Sequence, residues 1–106
     1  MWNDSNYKII NIMDNIGKRC FPEKCSICQN SAVHIFFYRY RKSYGGMWLW
    51  CSNCQNSSHT SGLVPEWWAN PDFISSSKLT ALPDYLENNK AFIDKWVNML
   101  IKENLK

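Results

Sequence analysis

Apolar residues recur along this chain with two different periods. Tyr7, Ile9, Ile10, Ile12, Met13 and Ile16 share one face at helical spacing, with Asp4 or Ser5 placed to cap the start and Gly17 to stop the end, which predicts a short amphipathic helix. The run Val33-His34-Ile35-Phe36-Phe37-Tyr38-Arg39-Tyr40-Arg41-Lys42 is instead rich in β-branched and aromatic side chains. Met47 to Cys51 repeats that character beyond Gly45-Gly46, so the segment predicts a β-hairpin that turns at the two glycines. The stretch Gln55-Asn56-Ser57-Ser58-His59-Thr60-Ser61-Gly62 is polar throughout and reads as a loop. Pro65 and Pro71 bracket room for a single helical turn around Trp67 and Trp68. From Pro83 onward, Leu86, Ile93, Trp96, Val97, Leu100 and Ile101 mark the longest helix, with Asp84 and Glu87 near its positive end. Helix, hairpin, short turn and long helix together predict an α+β fold, in which an N-terminal and a C-terminal helix pack on the hairpin.

One short phrase is spelled twice across that hairpin, as Cys25-Ser26-Ile27-Cys28-Gln29-Asn30-Ser31 and as Cys51-Ser52-Asn53-Cys54-Gln55-Asn56-Ser57. Two Cys-x-x-Cys turns can bring four thiolates around a tetrahedral Zn²⁺, so Cys25, Cys28, Cys51 and Cys54 are expected to form one structural zinc site. The 22 intervening residues, 29 to 50, suit a hairpin that carries Cys28 out and Cys51 back. Such a Cys₄ site is closed and cannot activate water, which disfavours zinc enzymology. His34 lies six residues after Cys28 and His59 five after Cys54. With four cysteines available, both are expected to hydrogen-bond behind the ligands or within the core instead of coordinating. Cys20, the fifth cysteine, is expected to be a buried or inert thiol, since nothing nearby resembles a nucleophile's support.

Charge and composition refine this only slightly. A chain of 106 residues favours one domain, 1–106, with a ribbon core over 24–57 and a helical part over 65–105. A net charge of +3 is too mild to prove a polyanionic partner. The first fourteen residues hold Asp4, Asp14 and no long apolar stretch, so neither a secretory signal nor a membrane span is expected. An odd cysteine count fits thiolate ligands in a reducing, cytoplasmic setting better than a disulfide framework. Tyr38, Arg39, Tyr40, Arg41, Lys42 and Tyr44 gather aromatic and cationic side chains at the hairpin tip. That tip suits either single-stranded nucleic acid, with bases on rings and phosphates on cations, or ordinary packing of tyrosines beside solvated charges. Among the tryptophans, Trp50 and Trp96 are expected in the core, where Trp96 could meet Trp48 and Trp50. Trp67 and Trp68 stand open between core and partner contact.

Over residues 24 to 57, the paired Cys25-x-x-Cys28 and Cys51-x-x-Cys54 resemble the zinc-ribbon group, a resemblance specific for metal and silent on function. Ser26 and Gln29 stand where that group usually has proline and glycine, which leaves Asn30 and Asn56 to take the unusual backbone angles. The wider string Met47-Trp48-Leu49-Trp50-Cys51-Ser52-Asn53-Cys54, Val64-Pro65-Glu66-Trp67-Trp68, Leu82-Pro83-Asp84-Tyr85-Leu86-Glu87 and Ile93-Asp94-Lys95-Trp96-Val97 looks like small bacterial proteins. Some of these are immunity partners of polymorphic or contact-dependent toxins. The resemblance implies a non-enzymatic protein-binding module that neutralises a toxin by direct binding. The alternative is a nucleic-acid-binding ribbon that uses the basic, aromatic tip. The oligomeric state is not readable from the residues.

Overall fold

Strand formation begins where β-branched and aromatic residues are densest. The computed structural model describes residues 2–4 and 20–104, and within them β3 (Ser31–Arg41) pairs antiparallel with β4 (Tyr44–Cys51). The register matches Val33 with Cys51, Ile35 with Leu49 and Phe37 with Met47. The chain reverses at Lys42-Ser43 and not at the glycines, which lie inside β4 opposite Arg39 and Tyr38. Neither glycine uses a positive φ. Gly45 is small for a different reason: a Cβ there would stand 1.9 Å from the Tyr38 carbonyl oxygen and 2.8 Å from the Val64 side chain. These glycines permit close approach between chain segments.

A third long strand, β5 (Asn56–Leu63), occupies the segment expected to be a polar loop. It pairs antiparallel with β4 from Trp50 opposite Ser57 to Tyr44 opposite Leu63. Ladder bonds come from the backbone, so the free edge of β4 can recruit a hydroxyl-rich segment that has no apolar alternation of its own. Two short strands complete the sheet: β1 (Asn3–Asp4) runs parallel to β5, and β2 (Glu23–Lys24) antiparallel to β3. The order is β1-β5-β4-β3-β2. Near the tip, the edge of β3 is completed by a side chain: the Asn70 amide accepts the Arg39 N–H at 2.9 Å and donates to the Arg39 carbonyl at 3.0 Å, as a neighbouring strand would.

The C-terminal part is helical in two pieces, α1 (Asp84–Glu87) and α2 (Lys90–Asn104), instead of one helix from Pro83. The break falls at Asn88-Asn89. There the Asn89 N–H bonds the Leu86 carbonyl at 3.0 Å, its side chain bonds the Tyr85 carbonyl at 2.9 Å, and its own carbonyl accepts the Ile93 N–H at 3.0 Å to start α2. Between Pro65 and Pro71 one turn forms, closed by the Trp68 N–H on the Pro65 carbonyl at 3.0 Å. A 3₁₀ turn follows at Ser76–Lys78. The architecture is α+β, a five-stranded sheet with two C-terminal helices. The amphipathic helix expected over residues 7–16 lies outside the described residues. No helix among the described residues is long and apolar enough to cross a membrane.

Val33 to Phe37 and Met47 to Cys51 are all buried, so the sheet centre is covered on both faces. That explains why these strands read as continuous apolar runs and not as an alternation. One face carries the cross-strand pairs His34/Trp50 and Phe36/Trp48, the other Val33/Cys51, Ile35/Leu49 and Phe37/Met47. Trp68 closes the β3 edge, with its ring 5.4 Å from Phe36 and 5.3 Å from Phe37. Trp48, Trp50 and Trp68 are core; Trp67 is half-buried against Phe37, and the half-buried Trp96 meets Phe73 instead of Trp48 and Trp50.

Candidate metal centre

Each cysteine turn is built the same way. The Gln29 N–H donates to the Cys25 carbonyl at 2.9 Å and the Gln55 N–H to the Cys51 carbonyl at 3.0 Å. Gln29 and Gln55 both take left-handed backbone angles, with φ of 68° and 60°. The strained position therefore falls directly after the second cysteine of each turn and not on Asn30 and Asn56 as anticipated. A non-glycine residue there costs roughly 1–2 kcal/mol, which the surrounding structure must outweigh. The two asparagines serve the turns differently: the Asn30 side chain bonds the Cys28 carbonyl at 3.3 Å, and the Asn56 amide donates to Cys54 Sγ at 3.2 Å.

These turns bring all four sulfurs within 4.8 Å of one another. Cys25 Sγ lies 3.8 Å from Cys54 Sγ, and Cys28 Sγ lies 3.6 Å from Cys51 Sγ. Disulfide sulfurs stand about 2.05 Å apart, far closer than these. Four thiolates around a tetrahedral ion with bonds of about 2.3 Å stand about 3.8 Å apart, which the observed pairs match. The cluster fits one metal ion. Cys25 and Cys51 are buried, Cys28 and Cys54 half-buried.

The thiols differ in acidity. Burial pushes Cys51 up to about 12, against the N–H groups of Cys54 and Asn53 that pull it down. Cys25 is likewise raised by burial, opposed by the N–H groups of Cys28 and Ile27. Cys28 falls to about 6, chiefly because the Asn30 N–H and the Asn53 side chain point at its sulfur. Of the two expectations for Cys20, buried or inert, burial does not hold: it is exposed, and it lies apart from the cluster.

His34 stands behind the second turn, bonded to Ser52 and Asp94 and not to a sulfur. Its Nε2 lies 2.8 Å from Ser52 Oγ, and its Nδ1 lies 2.8 Å from the Asp94 carboxylate on α2. Ser52 donates in turn to Glu87 on α1 at 2.6 Å, where the Trp50 indole at 3.0 Å and the Lys90 ammonium at 2.9 Å also converge. Burial alone would raise the Glu87 carboxyl, but these donors outweigh it and hold the group below its ordinary value. Asp94, His34 and Ser52 thus line up like a hydrolytic triad beside a surface pocket of about 290 Å³. Other bonds already occupy Ser52. Ser52 Oγ is also bonded to Glu87, and the Ser52 N–H is taken by the Ala32 carbonyl at 2.9 Å. The N–H groups of Asn53 and Cys54 point at Cys51, so none of the three can cradle an oxyanion. The row is a strut that ties a cysteine turn to both helices. From sequence, His34 is expected to hydrogen-bond behind the ligands, as it does, but nothing there pairs His34 with Asp94, an acid beside the apolar stripe of α2.

His59 sits elsewhere, on β5, with its ring stacked 4.4 Å from Trp48 and Nδ1 3.1 Å from the Met47 carbonyl. At the hairpin tip the six candidate contact residues divide. The Arg39 guanidinium is engaged by the carbonyls of Lys42, Pro65 and Trp68. Tyr38 is half-buried, with its ring 5.1 Å from that of Tyr40. Tyr40, Arg41, Lys42 and Tyr44 are exposed. No known family model, curated protein or solved structure matches this chain.

Proposed function

We propose that this chain is a non-enzymatic protein-binding module, a zinc ribbon whose one structural Zn²⁺ is held by Cys25, Cys28, Cys51 and Cys54. Its partner class is a toxin that it neutralises by direct binding in the cytoplasm, the role implied by the resemblance to bacterial immunity proteins. Four soft thiolates at tetrahedral spacing favour zinc or iron, and the redox-inert, closed arrangement of a structural site favours zinc. The observation that carries the binding role is the tip of the sheet. Tyr40 is 57 % exposed, Tyr44 48 % and Leu63 83 %, next to Arg41. Exposed tyrosine, leucine and arginine on rigid strands supply the anchors and amphipathic area of protein interfaces at little entropy cost.

The nucleic-acid reading is weaker because Arg39 is spent on backbone carbonyls. Arg41 and Lys42 remain at the tip, and phosphate binding that rested on these two would give only a shallow salt dependence. The test is a pull-down from a lysate of the source cell with zinc-loaded protein, scoring protein and nucleic acid separately after a nuclease wash. A stoichiometric protein that survives nuclease and moderate salt, and is lost with Tyr40→Ala/Tyr44→Ala, is the expected result. Recovery of nucleic acid that salt removes would overturn it in favour of the alternative.

A further inference from the structure

The flank of α2 beside its buried stripe is also apolar. Ile93, Val97, Leu100 and Ile101 are buried, while Phe92, Trp96 and Met99, spaced i, i+4 and i+7, form a second apolar ridge on the adjoining flank of the same helix. Phe92 is 65 % exposed. Phe73 leans onto this ridge with its ring 6.0 Å from Phe92 and 6.3 Å from Trp96, and Trp96 is pinned by its indole N–H on the Ala69 carbonyl at 2.8 Å. The result is a groove of about 330 Å³ walled by Phe73, Phe92, Lys95, Trp96 and Met99. It continues past Lys95 and Met99 into a second hollow of about 460 Å³ that reaches Lys102.

The charges beside this groove choose its occupant. Lys95 and Lys102 lie seven residues apart, two helical turns, so they stand on one flank of the ridge roughly 10 Å apart along the axis. Both are exposed. Glu103, the acid lining the groove, lies in the last turns, at its far end. An apolar ridge with a lysine rail on one flank complements a helix that carries an apolar stripe and acids one heptad apart. A second copy of this chain fits poorly, because an antiparallel two-fold pairing of α2 sets the lysine flank against itself.

We propose that this face of α2 is a docking groove for an acidic amphipathic helix of a partner protein. It is a different surface from the hairpin tip and does not depend on it. The probe is a fluorescein-labelled designed amphipathic helix with a leucine stripe and glutamates one heptad apart on one flank, compared with a twin carrying lysines at those glutamate positions. Fluorescence anisotropy is expected to show the acidic helix bound at micromolar concentration and the lysine twin about tenfold weaker or more. Phe92→Ser/Met99→Ser, two exposed positions whose folding is checked by circular dichroism, should abolish binding. Lys95→Glu/Lys102→Glu should reverse the preference between the two helices, and Tyr40→Ala/Tyr44→Ala should leave binding unchanged. Equal binding of the two helices, or none at roughly millimolar concentration, overturns the proposal. So does a concentration-dependent dimer of the protein alone that Phe92→Ser abolishes, since the face would then belong to a second copy.

Discussion

The guanidinium of Arg39 donates to the carbonyls of Lys42, Pro65 and Trp68, while its backbone N–H and carbonyl are taken by Asn70. One side chain therefore ties the hairpin turn to the segment that follows β5. Fork geometry is what permits it, since a planar group with five donors reaches carbonyls that a single ammonium cannot reach together. Arg39→Ala is expected to lower stability by about 2–3 kcal/mol, read from denaturant midpoints, because it leaves the carbonyls of half-buried Pro65 and buried Trp68 without this partner. Arg39→Lys should recover only part of that loss. Full recovery by lysine would mean that charge, not fork geometry, is what the site uses. From sequence, Arg39 was indistinguishable from Arg41, because the carbonyls that separate them come from residues 26 and 29 positions away.

At the scale of elements, β4 is the strand on which the sheet depends, paired on both edges and buried from Gly45 to Cys51. Its glycines allow that crowding. A methyl group at Gly45 would meet the Tyr38 backbone and Val64, and the backbone cannot give way as a flexible side-chain end could. Gly45→Ala is therefore expected to cost about 3 kcal/mol or more, at or beyond the usual range for overpacking. Gly62 on β5 has nothing within 4 Å of the same position, so Gly62→Ala should be neutral within about 0.5 kcal/mol. Thermal melts of the two variants make the comparison, and equal effects would contradict the close approach seen at Gly45. The hairpin itself was legible from its residues. Its turn was misplaced because Gly45-Gly46 carries the usual signal of a reversal, whereas here these glycines answer to crowding between strands.

For the whole molecule, the cysteine cluster joins the two ends of the β3–β4 hairpin, and the Asp94–His34–Ser52–Glu87 row carries the second turn onto α1 and α2. A structural metal of this kind contributes roughly 10–16 kcal/mol, as much as the entire stability of a small domain. Chelation is expected to abolish the cooperative melt of the sheet, and Cys51→Ser to do the same; wild-type melting and metal content in that variant would show that the four cysteines are not the ligands. Metal binding also releases protons. Cys25 and Cys51 are raised by burial and bind protons in the metal-free fold, whereas Cys28 is already a thiolate above about pH 6. With the protons on Cys25 and Cys51 displaced, apparent metal affinity should fall by at least about 100-fold for each pH unit lowered between about pH 8 and 6. Below about pH 6 the Cys28 thiol adds a further proton and steepens the loss. A competition titration against a chromophoric chelator measures the slope, and a pH-independent affinity would contradict the acidities derived from burial.

What the chain determined by itself is local. Two four-residue cysteine turns, the two aromatic strand runs and the helical stripe near the C-terminus each depend on neighbours within a few positions and form where the residues place them, apart from the exact reversal of the hairpin and the break at Asn88-Asn89. What only tertiary structure decided is whatever depends on distant partners. A serine-rich segment becomes β5 because β4 offers it an open edge, Gly45 is required by the approach of Tyr38 and Val64, and His34 meets an aspartate 60 residues away. Hydrogen bonds and steric limits between remote segments leave no period in the sequence, because the backbone donors that make strands are the same at every residue and only the fold selects which of them meet.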